Sequence, residues 1–185
     1  MTKVFISYRR KDSQWGAQMI NDRLVDKFGT ENIFYDVDSI PLGVDFKTYL
    51  DNAVSQVQLL LVIINKDWLG ISNDEGVQRL AEPGDYVRIE IESAFNRNIP
   101  VLPILLGQTP MPSPEDLPES LKKLANINGM SIEPGRDFDH HFARLVKHIE
   151  TLPSQPETSS EEEEEARVAA EEEEARVAAE EEAAR

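Results

Sequence analysis

Two features of the 185-residue sequence predict an α/β fold built on a parallel sheet, with a third marking where that fold ends. Short apolar runs rich in β-formers alternate with helical patterns across about 150 residues, the signature of successive strand–helix–strand units. The longest of these runs, residues 57–64 (VQLLLVII), is apolar almost throughout, as a strand covered by helices on both faces must be. Beyond residue 160 the chain turns abruptly to Glu, Ala and Arg.

The elements follow in order. Residues 3–8 (KVFISY) form a short buried strand bounded by charge. Ser13 is a plausible N-cap for a helix carrying Trp15, Met19, Ile20, Leu24 and Phe28 at helical spacing, and Gly29 is its stop signal. Residues 32–36 (NIFYD) make a second strand. A loop with Pro41 and Gly43 leads into a helix capped by Asp45, with Phe46, Tyr49, Leu50, Ala53 and Val54 on one stripe. The third strand spans 57–64, residues 65–84 read as irregular, and 85–98 as a helix. Residues 99–106 (IPVLPILL) are a fourth strand, 117–124 a short helix, 126–132 a weak fifth strand. Residues 138–152 are a last amphipathic helix with Phe138, Phe142, Leu145, Val146 and Ile149 on its apolar side. Five strands joined by right-handed crossovers give a flavodoxin-like five-stranded parallel sheet with helices on both faces. Ligands of such sheets lie outside the carboxyl ends of the strands. Here those ends are Ser7-Tyr8-Arg9-Arg10, Asp36-Val37-Asp38 and Asn65-Lys66-Asp67.

Composition narrows the chemistry. The absence of cysteine removes disulfides, thiolate metal sites and a cysteine nucleophile. The three histidines (140, 141 and 148) stand late in the chain without upstream ligand spacing, so no metal or other cofactor is expected. The N-terminus lacks a signal-peptide pattern and the longest apolar run, 59–64, is too short to cross a bilayer, so a cytoplasmic protein is expected. Net charge is −16, of which −9 falls in residues 161–185 and −7 in the rest. That balance speaks against nucleic acid and anionic membranes as partners.

The expected organisation is a domain over 1–152, a Pro/Ser/Thr-rich linker over 153–160 and a repeat over 161–185, the acidic helical C-terminal tail. The repeat has period nine: EEEEARVAA at 162–170, again at 171–179, then a partial copy. Glu163–Arg167 and Glu172–Arg176 are favourable (i, i+4) pairs. Nine residues at about 100° each leave Val168 and Val177 on opposite sides, so no heptad seam forms. A solvated helix or frayed linker is the ordinary reading, an oligomerising stalk the alternative. The break within the third copy at Arg185 suggests a lead into a further domain.

Four segments, taken together and in order, resemble Toll/interleukin-1 receptor (TIR) domains. They are Phe5-Ile6-Ser7-Tyr8-Arg9-Arg10; Ile33-Phe34-Tyr35-Asp36 with Ile40-Pro41-Leu42-Gly43, similar to the family's second strand and BB loop; the run from Asp85 to Phe95, similar to the helix in which an aromatic residue precedes a glutamate by four; and Asn98 to Ile104. The resemblance covers residues 2–150 and is to prokaryotic NAD-cleaving members of the family. A phosphoacceptor receiver domain shares the sheet pattern but needs acids after its first strand to hold magnesium. This chain has Ser-Tyr-Arg-Arg there.

The resemblance implies NAD⁺ as substrate, with Glu90 as the catalytic carboxylate. Nicotinamide leaves as a neutral molecule because its ring is cationic beforehand, so no general acid is required. One carboxylate then holds the ribose hydroxyls and stabilises the developing positive charge. Glu92, the neighbouring acid, is turned about 200° away along a helix. Without the resemblance, Glu90 would read as an ordinary exposed helical glutamate. Arg9 and Arg10 suit the dinucleotide's phosphates, or are plain loop charges. Tyr8, Asp38, Ile40 and Gly43 are candidates for shaping the pocket, though Gly43 also serves loop flexibility. Tyr86 stands where tryptophan is common and offers a smaller ring for stacking. Trp15 and Trp68 offer rings for stacking too, but read first as packing residues. The implied activity is NAD⁺ glycohydrolysis or cyclisation to a cyclic ADP-ribose, in antiphage defence or signal transduction, completed by self-association through TIR–TIR contacts. The alternative is a non-catalytic TIR–TIR adaptor module.

Overall fold

The computed structural model describes residues 2–35, 53–70, 76 and 78–152, with 10–14 described for their backbone alone. In chain order its elements are β1 (Val4–Ser7), α1 (Arg10–Phe28), β2 (Ile33–Tyr35), β3 (Leu59–Ile64), α2 (Tyr86–Asn96), β4 (Val101–Leu106), β5 (Met130–Ile132) and α3 (Phe138–Glu150). Short 3-10 turns occupy Thr30–Asn32, Arg79–Ala81, Pro114–Asp116 and Glu119–Asn126. The strands form one wholly parallel sheet in the order β2-β1-β3-β4-β5. The five-stranded parallel sheet that the alternation predicts is the sheet observed.

Strand alternation divides the core into two layers. Val4, Ile6, Leu59, Leu61 and Ile63 pack with Ala17, Ile20 and Leu24 of α1 and with Phe138, Phe142, Leu145 and Ile149 of α3. Phe5, Leu60, Val62 and Ile64 face the other way, onto Val87, Ile91 and Ala94 of α2 and Leu121 and Leu124 of the long 3-10 turn. All six residues of β3 are buried, which is why its sequence shows no alternation. Pro103 is tolerated inside β4 because β5 pairs only from Ile104 onward, so the N–H that proline lacks is not called for on that side.

Several boundaries differ from the expectation. The first helix begins at Arg10 rather than after Ser13, so Ser13 lies within it. Its N-cap is Arg9, whose side chain makes no cap hydrogen bond because a guanidinium has no acceptor to offer the helix N–H groups; it is engaged instead with Asp85. Trp15 is 75% exposed, although the apolar spacing placed it in the core. The buried register is 17, 20 and 24, and position 15 lies about 200° from 17 around the helix. Gly16 lets α1 close on β4, for a Cβ there would stand 2.5 Å from Leu106 Cδ1. The segment expected as a helix over 117–124 is a 3-10 turn, Glu119–Asn126, and the fifth strand is confined to three residues. The helix expected after Asp45 lies outside the described residues except for 53–55, which are helical. Asp36, the linker at 153–160 and the repeat at 161–185 also lie outside them.

Leu61 is fully buried at the middle of the sheet, paired with β1 and β4 on either side. Leu61→Ala is expected to lower unfolding stability by about 2–5 kcal/mol, read as a fall in the urea midpoint. Trp15→Ala should stay within about 0.5 kcal/mol of the parent. Equal effects of the two would contradict the core described.

Candidate functional site

In the order β2-β1-β3-β4-β5 the sheet winds in opposite directions from β1 and from β3, and sheets of this kind take their ligands outside the carboxyl ends at that point. Three segments meet there: the residues after β1, the turn after β3, and the beginning of α2, which returns the chain toward the start of β4. Alternation along β1 sets Ser7 on the same face as Phe5, the α2 side, with Ser7 paired in register to Val62. Ser7 is buried, and Trp68, after β3, joins the α2-side core at 1% exposure. Ser7 Oγ and Trp68 Nε1 take no hydrogen bond among the described residues, a cost of about 1–3 kcal/mol each where water is shut out.

Arg9 follows in the same direction and is almost wholly buried. Its guanidinium forks onto Asp85: Nη1 donates to Oδ2 at 2.9 Å and Nη2 to Oδ1 at 3.0 Å. Its charge also stands 5.9 Å from the centre of the Trp68 ring, within cation–π range. Asp85 has a second task. It is the N-cap of α2, and Oδ1 accepts the backbone N–H of Arg88 at 3.1 Å. One buried carboxylate thus fixes the end of β1 to the start of α2. A second guanidinium, that of Arg79, approaches the same group, with Nε 3.7 Å from Oδ2.

α2 presents Val87, Glu90, Ile91 and Ala94 to the interior, the spacing i, i+3, i+4, i+7 of a core-facing stripe. Glu90 therefore occupies an apolar register position and is only 3% exposed. Glutamate is almost never buried to this degree unless it is paired. Glu92 turns to the outer side, where Oε1 accepts from Arg88 Nε at 2.7 Å and from Ser120 Oγ at 2.5 Å. Arg88 also donates through Nη1 to the carbonyls of Leu80 and Ala81 at 3.4 and 3.0 Å, binding the 3-10 turn Arg79–Ala81 to α2.

The structure brings some of the sequence-predicted residues together and separates others. Arg9 and Glu90 lie on the α2 side, and Tyr86 stands half exposed at the first position of α2. Tyr8 goes to the opposite face, packed against the α1–α3 layer and stacked on Tyr35 with ring centres 4.8 Å apart. Arg10 opens α1, and its side chain is outside the described set, as are Asp38, Ile40 and Gly43. Arg9 was expected to face phosphates, but its Nη groups are turned onto Asp85.

Two residues of the site escaped the sequence reading. Asp85 carried a signal, an acid at a helix start three residues before the first charged helical residue, but a capping aspartate says nothing of a partner 76 positions away. Arg79 carried none, because residues 65–84 show no periodicity.

With this geometry in view, the likenesses to known proteins can be placed. A family model described as TIR domain matches residues 4–146. NAD(+) hydrolase sarm1 of Drosophila melanogaster is 30% identical over 129 residues, which is 69% of this chain but 9% of that protein's own length. The TIR domains of the activated Roq1 resistosome align with a TM-score of 0.59 at 16% identity, covering 80% of this chain and 99% of theirs. A prokaryotic SEFIR domain aligns with a TM-score of 0.58 at 21% identity, covering 86% and 100%. At those identities the two structures speak for the fold alone.

Removing one partner of a buried ion pair strands the other. Asp85→Ala is expected to cost about 3–5 kcal/mol by chemical denaturation, with about 1 kcal/mol of cap loss included. Arg9→Met combined with Asp85→Leu should recover a large part of that loss. Simple additivity of the two single changes in a double-mutant cycle would show that the pair is not coupled.

Proposed function

Because the chain belongs to the TIR domain family, whose model spans residues 4–146, we infer that it cleaves NAD⁺, releasing nicotinamide, with Glu90 as the catalytic carboxylate. The observation that carries this reading is the burial of Glu90 on the core-facing stripe of α2, in the helix's second turn. The likeness to an NAD(+) hydrolase over 69% of the chain supports it.

The chemistry fits a site with one such acid. The bond between ribose C1′ and the nicotinamide nitrogen breaks with its electron pair passing to the ring, which leaves neutral. A cation remains on the ribosyl carbon. In a site shut off from water, a nearby carboxylate stabilises that charge far more strongly than it would in solution. Water then adds at C1′ and loses a proton, giving ADP-ribose. If a nitrogen of the substrate's own adenine arrives first, the product is a cyclic ADP-ribose. Both outcomes share the cation. Tyr86 supplies a ring face at the mouth of the crevice, and a neighbouring subunit's loop completes the pocket. Self-association therefore switches the activity on, in an immune or signalling role of the prokaryotic type, within the cytoplasm.

Incubating the concentrated protein with NAD⁺ and following free nicotinamide tests the reading. Release is expected to rise more than linearly with protein concentration. Glu90→Gln, which keeps shape and burial, should lower it by at least about 10²-fold with the melting temperature little changed. A wild-type protein that self-associates yet releases no nicotinamide would instead be a recruitment module.

A further inference from the structure

Under the cleavage reading, a dinucleotide brings two phosphate charges to a molecule whose net charge is −16. The crevice must offer a cation. Arg9, the cation nearest the opening strand, is 5% exposed, and both its Nη groups are directed at Asp85. A guanidinium in that state cannot also fork onto a phosphate without breaking the brace between β1 and α2.

Arg79 differs on every count. Its side chain is 40% exposed, at the same edge of the sheet and beside the same carboxylate. It approaches Asp85 through Nε at 3.7 Å, too long for a hydrogen bond, and among the described residues neither Nη makes one with Asp85. Among the described residues that approach is its only ion pair. Its backbone is nevertheless fixed. The carbonyls of the next two residues accept from Arg88, and Gln78, just before it, anchors to the carbonyl of Leu69 at 2.6 Å. Two guanidiniums meet the one Asp85 carboxylate, and of the two it is Arg79 that faces the open side. Lys66, in the turn after β3, is also exposed, but among the described residues nothing holds its side chain in place.

We propose that Arg79 is the phosphate-binding residue of the site, its two Nη groups forking onto the pyrophosphate of the dinucleotide while Asp85 steers it from behind. The assignment rests on the cleavage reading for its substrate, but it concerns recognition rather than chemistry. Planar, paired donors match phosphate oxygens in a way that a point charge does not.

The test compares substrates that share the scissile bond but differ in phosphate. Arg79→Ala is expected to lower kcat/KM for NAD⁺ about tenfold, mainly through KM, and to leave nicotinamide riboside, which has no phosphate, within about twofold of wild type. Arg79→Lys should restore part of the loss. An equal fall with both substrates makes Arg79 a structural residue and overturns the proposal, as does no fall with either. Equilibrium binding of ADP-ribose separates this from the catalytic reading. If wild type binds ADP-ribose and Arg79→Ala binds about tenfold more weakly, Arg79 keeps its role even where no nicotinamide is released. Equal affinities, or no binding by wild type, remove it.

Discussion

The ion pair between Arg9 and Asp85 is the constraint from which the rest of the site follows. Its partners stand 76 residues apart, and both are buried. Buried ion pairs contribute little net stability, since desolvation offsets most of their attraction. What this one supplies is placement. It determines where α2 begins relative to β1, because Asp85 is at once the acceptor of the fork and the cap of the helix. The rotation of α2 about its own axis is then settled by Val87, Ile91 and Ala94, which must meet the sheet. Glu90 shares their side of the helix and has no freedom to turn outward. A polar group is carried into the core by the apolar groups around it.

The same pair explains a boundary that local pattern could not find. Ser13 is a better N-cap than Arg9 by side-chain chemistry, yet the helix starts at Arg10. An extended Arg9 is required for its guanidinium to reach Asp85, and once the chain has turned there the helix can begin at once. Long-range demand overrides local preference. Trp15 illustrates a different failure. Its spacing from Met19 is helical, but a helix has two candidate stripes when apolar residues are sparse, and the smaller residues at 17, 20 and 24 won. The strands were easier to find, because a parallel sheet between two helical layers demands unbroken apolar runs and β3 shows one.

For the site, legibility depended on the range of the interaction. That Glu90 and Glu92 diverge was readable from helical geometry, and Val87, Ile91 and Ala94 already marked the face on which Glu90 lies. That Tyr8 leaves the α2 side was readable too, since it alternates with Ser7 and Arg9 along the extended chain; a shared motif invited treating all three as one patch. The partner of Arg9 was not readable, nor was the place of Arg79. Both depend on how segments far apart in sequence are set side by side by the sheet.

On the proposed cleavage reading, these placements let an acidic molecule keep a carboxylate in a site that must also accept an anion. Asp85 caps the short helix that carries Glu90, and two negative charges there would repel the phosphates of the proposed dinucleotide. Asp85 is covered twice, by Arg9 from within and by Arg79 from the open side. Its charge is therefore cancelled before any ligand arrives. Glu92, the third acid of the helix, is drawn to the outer surface by Arg88 and Ser120. Glu90 is the carboxylate that the apolar stripe holds on the inner side of the helix. Because charge interactions strengthen as water is excluded, a carboxylate so placed acts most strongly on a positive charge that forms close by. A sugar cation formed as a neutral ring departs is such a charge, and it exists only during the reaction. On that proposal the separation is one of depth: guanidinium on the exposed side for the permanent negative charge of the ligand, buried carboxylate for the transient positive one.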